Sequence, residues 1–422
     1  MEYINIDLTA EMEEITKIKG VKVLISNMYV TRPLSMYKKS PDSLFSPPPD
    51  GPNSGILVVQ DDEAASVCCL GLFKTSYLQG LPLPQNKKLE ISYVAGVEET
   101  KTLHFLDVVF IPVLDQPLSS NRYYAIKPHG MQKGKAYTSS KVEDADTCCF
   151  FDSARDVAPE PLDPRNPYQQ FEISIPRMTL NIGGSYTAKS MATDGIPPTF
   201  LRKRGWQANA PAPQEYELGE ALGIDTALRA RLPGFDFSIS SKGPEPVVVG
   251  KWYCPFVFVR EEPLKLRTSR SIYYEMTLEQ KWERIFTCKN DDSKSRAVVE
   301  VDVVVKNEVV CVGGREVLEE ERNLAGGFMW LRGGGYGGGD NSLGLSMAIV
   351  ERIRWEEERV GWIGGNEKEV NVKRVEEVGG IGQWTKFDVY VLMERFVLKR
   401  MDGSLVLTYD FRHIHQIRTK LE

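Results

Sequence analysis

Between residues 271 and 288 apolar and polar side chains alternate with a period of two. Ile272, Tyr274, Met276, Leu278, Trp282, Phe286 and Cys288 share one parity, and Glu275, Thr277, Glu279, Lys281 and Glu283 share the other. A helix would scatter these positions around its circumference, whereas a strand sorts them into a buried and a wet face. "AVVEVDVVVKNEVVCVGG" (297–314) alternates in the same way, and the polar "KNDDSKSR" between the two segments reads as a hairpin loop. The stretch 343–355 alternates through Leu343, Leu345, Met347, Ile349 and Ile353 and predicts a further strand. Asp402-Gly403 between two apolar runs signals a hairpin. Long antiparallel strands joined by hairpins make a curved sheet, sandwich or barrel.

The N-terminal half is punctuated differently. Short apolar, β-branched runs at 21–26, 55–60, 66–73 and 104–114 predict strands, separated by segments rich in Pro, Ser, Asp and Gly. Residues 1–20 read as one short helix closed by Gly20. Leu218, Leu222, Leu228 and Leu232 fall roughly on one helical face, which predicts a helix near 215–233, weakened by Gly219 and Gly223. The expected organisation is a β-rich domain over 21–151, a Pro-rich connecting region over 152–247 holding that helix, and an antiparallel β domain over 248–422. The fold class is mainly β, a β-rich α+β chain with few short helices.

Two cysteine doublets bear on the first domain. Cys68-Cys69 and Cys148-Cys149 each follow an acidic turn, and each lies downstream of a "PLS" triplet, at Pro33 and Pro117. The two segments read as divergent copies of one β unit. Neighbouring residues on a strand face opposite ways, so a doublet there cannot easily chelate one ion. The C-x₂₋₄-C zinc spacing is missing, and the doublets read as small core hydrophobes.

Composition removes several classes. The net charge of the 422 residues is −6, which gives no global pull toward nucleic acid. No run of about eighteen apolar residues and no signal-like N-terminus is present, so an intracellular, cytoplasmic chain without a transmembrane segment is expected. Seven cysteines, an odd number, read as thiols in a reducing compartment.

Candidate chemistry is sparse. "RGGGYGGGDN" (332–341) lacks the Lys-Ser/Thr of a phosphate loop and reads as a flexible turn. His413 and His415 could ligate a metal, but no acidic or thiol partner is near in sequence, and they read as exposed strand residues. The acidic runs at Asp61–Glu63, Glu319–Glu321 and Glu356–Glu358 read as solvated faces and turns. Tyr123, Tyr124 and Trp206 could stack on sugars but read as buried aromatics. The sharpest charged feature is "FLRKRGW", where Arg202, Lys203 and Arg204 lie beside Trp206. Basic residues next to an aromatic suit a phosphate-bearing or lipid surface, and these four are the candidate surface contact. No catalytic residue, metal site or cofactor is indicated.

"MYVTRPLSMY", "PPPDGPNSGILVV", "DQPLSSNRYY", "DGIPPTFLRKRGW", "YYEMTLEQKWE", "IVERIRWEEERVGW" and "LKRMDGSLVLTYDFRHIHQIR" together resemble a plant-specific family known only as domain of unknown function twelve-sixty-two. Some members carry the label "insecticidal crystal toxin domain protein". The resemblance implies a plant source and an unresolved, stress- or defence-related role, and it carries over no catalytic residues.

The expectation is therefore a non-enzymatic binding or interaction protein engaging a protein, a glycan or a lipid headgroup. A pore-forming-toxin-like membrane binder and an enzyme with an unsignalled active site are the alternatives. A shallow aromatic groove would favour the binder, an exposed amphipathic hairpin the pore, and a pocket with convergent carboxylates or a buried histidine the enzyme.

Overall fold

The structure is a computed structural model of the 422-residue chain. It describes residues 28–48, 54–64, 67–68, 73–74, 76–96, 101–142, 155–176, 185–211, 218–239, 244–262, 272–290, 296–318, 322–333, 342–363, 369–379 and 384–422. The helix expected over 1–20 and the strand expected over 21–26 lie outside these residues. So do Cys69, Cys148, Cys149, Glu319–Glu321 and most of the glycine-rich 332–341.

The chain is mainly β, as its alternation predicts. Among the described residues the largest sheet has nine strands. Across it run β19 (Arg315–Glu316), β18 (Glu308–Val312), β25 (Leu405–Leu421), β24 (Lys386–Arg400), β16 (Tyr273–Lys289), β14 (Val247–Pro255), β1 (Met28–Pro33) and β2 (Ser54–Val59), with β13 (Gly223–Ile224) beside β14. Strands from both sides of residue 247 thus share one sheet. All its pairs are antiparallel except β1 with β2. A six-stranded sheet runs β10 (Thr187–Ser190), β9 (Gln170–Ser174), β7 (Arg122–Ile126), β6 (Thr102–Pro112), β5 (Leu89–Ala95), β12 (Gln207–Asn209). A four-stranded sheet runs β15 (Val259–Glu262), β22 (Ser342–Ser346), β21 (Phe328–Arg332), β20 (Arg322–Ala325). Two-stranded ribbons pair β17 (Arg296–Lys306) with β23 (Glu369–Gly379), β8 (Ser140–Lys141) with β11 (Gly195–Ile196), and β3 (Val67–Cys68) with β4 (Phe73–Lys74). The α-helices are α1 (Leu34–Lys39), α2 (Thr199–Arg202), α3 (Thr226–Arg231) and α4 (Met347–Glu358).

The strand expected at 271–288 is β16, and its apolar parity is buried from Tyr274 to Trp282. A bulge between Arg284 and Phe286 then shifts the register against β24. The hairpin expected between 271–288 and 297–312 does not form. β24 takes an edge of β16 along nearly its full length, while β17 turns away and pairs with β23. Val299, Val301 and Val378, three of the buried valines of that ribbon, pack with Trp384, Phe387 and Val389. The valine alternation therefore reports a covering ribbon and not the next strand of the sheet.

Residues 343–355 also differ from expectation. Only β22 is extended, and Met347 opens α4. Ala348, Ile349, Val350, Arg352, Ile353, Glu356 and Glu357 are the buried positions, in groups that recur every three to four residues. That is helical periodicity, and the run of odd-numbered apolar residues concealed it. The helix expected near 215–233 is confined to α3, because Gly223 has φ +87° and extends into β13 before Asp225 caps the helix on Leu228 N at 2.8 Å. No described helix is long and apolar enough to cross a membrane.

Candidate functional site

Four elements far apart in sequence meet over the middle of strands β24 and β25 of the large sheet. Arg229 comes from α3, Glu356 and Glu357 from the last turn of α4, Glu394 from β24 and His413 from β25, and each is almost completely buried. Arg229 lies at the centre. Its Nε donates to Glu394 Oε1 at 2.9 Å, and its Nη2 donates to Glu394 Oε2 and, at 3.1 Å, to Glu357 Oε1. Its Nη1 donates to Glu356 O at 3.1 Å and Oε2 at 3.3 Å. Glu356 is further held by Arg352 and by Arg359 Nε at 2.6 Å. His413 Nε2 is 2.9 Å from Glu357 Oε2 and 3.4 Å from Glu394 Oε2. Gln280 of β16 completes the ring, donating to Arg229 O at 3.1 Å and Glu394 Oε1 at 2.6 Å. Burying charge is tolerable only with such pairing.

The groups titrate against one another. Burial and the neighbouring Glu394 push Glu357 up to about 8. Burial opposes ionisation of Glu394 too, but hydrogen bonds from His413 and Arg229 hold its carboxyl far below the usual range. Burial disfavours charge on His413, yet its contacts with Glu357 and Glu394 outweigh this and raise it to about 9. Near neutral pH the imidazole is thus a cation, and Glu357 keeps a proton.

A cavity of about 380 Å³ opens onto this network. Arg229, Gln280, Glu394 and His413 line it, with Leu232 and Leu392 as an apolar wall. His415, Gln416, Arg359 and Val360 also line it. A bulge explains the position of His415 and Gln416. The β24–β25 register steps from Leu392↔His413 to Val391↔Ile417, so residues 414–416 are looped out of the ladder. Bulges re-aim side chains beside sites in this way. Burial and nearby His413 lower the pKa of His415, which keeps this ring neutral.

Glu357, Glu394 and His413 bring two carboxylates and an imidazole within 4.8 Å of one another, a set able to hold a metal ion. The guanidinium of Arg229 already lies against both carboxylates, and His413 is protonated there. An ion there would have to compete with the guanidinium of Arg229 and with the proton of His413.

Two expectations are corrected here. His413 is buried and not an exposed strand histidine, and Glu356 and Glu357 are buried and not solvated. Distant partners supply what sequence neighbours lack. Signals were present in the chain: Gln280 sits on the apolar parity of β16, and His413 continues the buried parity of Leu407, Tyr409 and Phe411. Glu356 and Glu357 follow Ile349 and Ile353 at helical spacing.

The predicted surface run is placed elsewhere. Lys203 and Arg204 are exposed, Arg202 is half-buried with Nη2 donating to Thr199 Oγ1 at 3.2 Å, and Trp206 is buried. Trp206 stacks on Tyr186, with ring centroids 4.9 Å apart, inside a core shared with Phe110. It does not stand beside the basic run as a surface aromatic. Tyr123 and Tyr124 are buried, as expected.

The fold and site together define a mainly β protein with a buried ionic network under a small cavity. Residues 50–150 match the family described as "Protein of unknown function (DUF1262)", so this region carries the domain the resemblance pointed to. No curated protein matches the chain. Among solved structures, the one described as "Crystal structure of Cry35Ab1" is similar at 14% identity and a TM-score of 0.42, covering 80% of this chain and 90% of that one.

Proposed function

We propose that this is a non-enzymatic binding protein that seats a small molecule in the cavity beside Gln280, Glu394 and His413. The observation that carries this reading is the commitment of Glu357, Glu394 and His413 to the network. A general base needs a lone pair free to take a proton. The oxygens of Glu357 and Glu394 accept from Arg229, His413 and Gln280, and His413 is itself protonated. Such a floor orients a ligand, and Leu232 and Leu392 offer an apolar wall to the rest of it. The stress- or defence-related setting implied by the resemblance is part of the same proposal.

The test is ligand-observed NMR with a library of small fragments on the full chain and on Ala230→Trp. Ala230 is exposed and lines the cavity without joining the network, so the indole fills the space and leaves the ion pairs intact. A set of fragments that bind the parent and not the variant is expected. Identical binding to both sinks the reading.

A second reading is an enzyme, because convergent carboxylates and a buried histidine beside a cavity are the arrangement that favours one. The opposed shifts of Glu357 and Glu394 are what an acid–base pair displays. Conversion of any bound fragment by the parent chain, lost in His415→Ala, moves the assignment to catalysis.

A further inference from the structure

We propose that the chain forms a two-fold dimer in which β23 of one copy pairs antiparallel with β23 of a second copy, centred on Val375. β17 and β23 are paired without interruption from Arg296↔Gly379 to Lys306↔Glu369, and among the described residues they make a sheet of two strands. Among the described residues no strand lies along the outer edge of β23. An edge of 11 residues offers a row of backbone donors and acceptors to another chain. One face of the ribbon is used, since Val299, Val301 and Val378 are buried. The other presents Val375, which is 68% exposed.

The sequence of the edge identifies the occupant. β23 reads Lys373-Arg374-Val375-Glu376-Glu377, basic on one side of the valine and acidic on the other. A two-fold contact is self-complementary, so residue i meets j and j meets i. Antiparallel pairing about Val375 sets Lys373 opposite Glu377 of the second copy and Arg374 opposite Glu376 of the second copy, on the two faces of the strand. The axis repeats both pairs, and the two valines meet at the centre. Sliding the register by two positions places Arg374 on its own counterpart or Glu376 on its own, which is repulsive. Parallel pairing in register opposes like charges throughout. The charges therefore select one partner, one direction and one register.

Within a single chain these charges have only loose partners. Lys373 Nζ is 3.2 Å from Asp302 Oδ2 with both side chains exposed, and Arg374 Nε is 3.3 Å from Glu376 Oε1. Solvent-screened pairs of this kind hold little free energy, and the dimer exchanges them for cross-strand pairs.

Sedimentation velocity and light scattering on the full chain test this, with two charge variants. Lys373→Glu with Arg374→Glu makes the edge wholly acidic, and Glu376→Lys with Glu377→Lys makes it wholly basic. The parent is expected to dimerise with concentration and to dissociate as salt rises. Each variant alone is expected to associate at least about tenfold more weakly, because every opposed pair becomes repulsive. An equimolar mixture of the two is expected to recover dimers, since all the opposed pairs become attractive again. Recovery in the mixture separates lost pairing from lost folding. A parent that stays monomeric at its highest soluble concentration overturns the proposal. So does a dimer that persists in either variant, or a mixture that stays monomeric.

Discussion

His413 Nε2 lies 2.9 Å from Glu357 Oε2, although the two residues are 56 positions apart and both are shut away from solvent. One belongs to the last long strand and the other to the end of α4, so the contact fastens helix to sheet. Glu394 and Arg229 close the same ring from a neighbouring strand and from α3. Three of these residues face the cavity, so the network is both a clamp and a binding-site floor.

Stability is expected to decline as pH rises through the alkaline range. His413 is raised from 6.5 to about 9 by Glu357 and Glu394 against burial. A raised group contributes fully below its unfolded value and loses that contribution as pH rises through its folded one. Glu357, raised from 4.5 to about 8, acts in the same direction. Glu394 acts oppositely, and its contribution is lost only at strongly acid pH. His413 by itself should account for a loss on the order of 3 kcal/mol in urea unfolding between pH 6.5 and about 9. His413→Gln should flatten that window, and an unchanged profile would contradict the assignment.

Removing either central charge is expected to be severe. Glu394→Gln leaves Arg229 buried with a weakened partner, and Arg229→Met leaves Glu394 and Glu356 without their common cation. Each should cost about 3–5 kcal/mol in chemical denaturation. Glu357→Gln should cost less than Glu394→Gln near neutral pH, because Glu357 already keeps its proton there. The reverse order would show that the proton resides on Glu394.

Gly55 is a packing position. It lies opposite Tyr29 in the parallel β1–β2 pair, and a Cβ there would run into the Tyr29 ring and meet Leu114 Cδ2 at 3.2 Å. The ring is fully buried and its hydroxyl donates to Pro112 O at 2.9 Å, so it has nowhere to move. Gly55→Ala should destabilise by about 1–3 kcal/mol, read from the denaturant midpoint.

The basic run and its tryptophan should separate cleanly. Trp206→Ala removes a buried ring stacked on Tyr186 and is expected to cost about 3–5 kcal/mol. Lys203→Ala with Arg204→Ala changes exposed side chains and should stay within about 0.5 kcal/mol. Equal losses would mean that the exposed pair carries structure of its own.

Much of the fold was legible in the chain itself. The parity of Tyr274, Met276, Leu278 and Trp282 is a property of successive residues, and it located β16 and its buried face directly. The Asp402-Gly403 turn between β24 and β25 is equally local, because a positive φ of 82° at Gly403 depends on that glycine alone. The period-two signal failed where two periods overlap, since Leu345, Ile349 and Ile353, each four residues from the next, fit a strand and a helix alike.

Partner choice was decided only by tertiary structure. Whether β17 follows β16 into the sheet or crosses to β23 depends on which edges are already taken, and an amphipathic strand carries no label for its neighbour. The site has the same character. His413 and the Glu356–Glu357 pair look solvated when judged by their sequence neighbours, because burial of a charge is excluded unless a counter-charge meets it. Arg229, from a short helix more than a hundred residues before α4, supplies that counter-charge only once α3, α4, β24 and β25 have closed on one another.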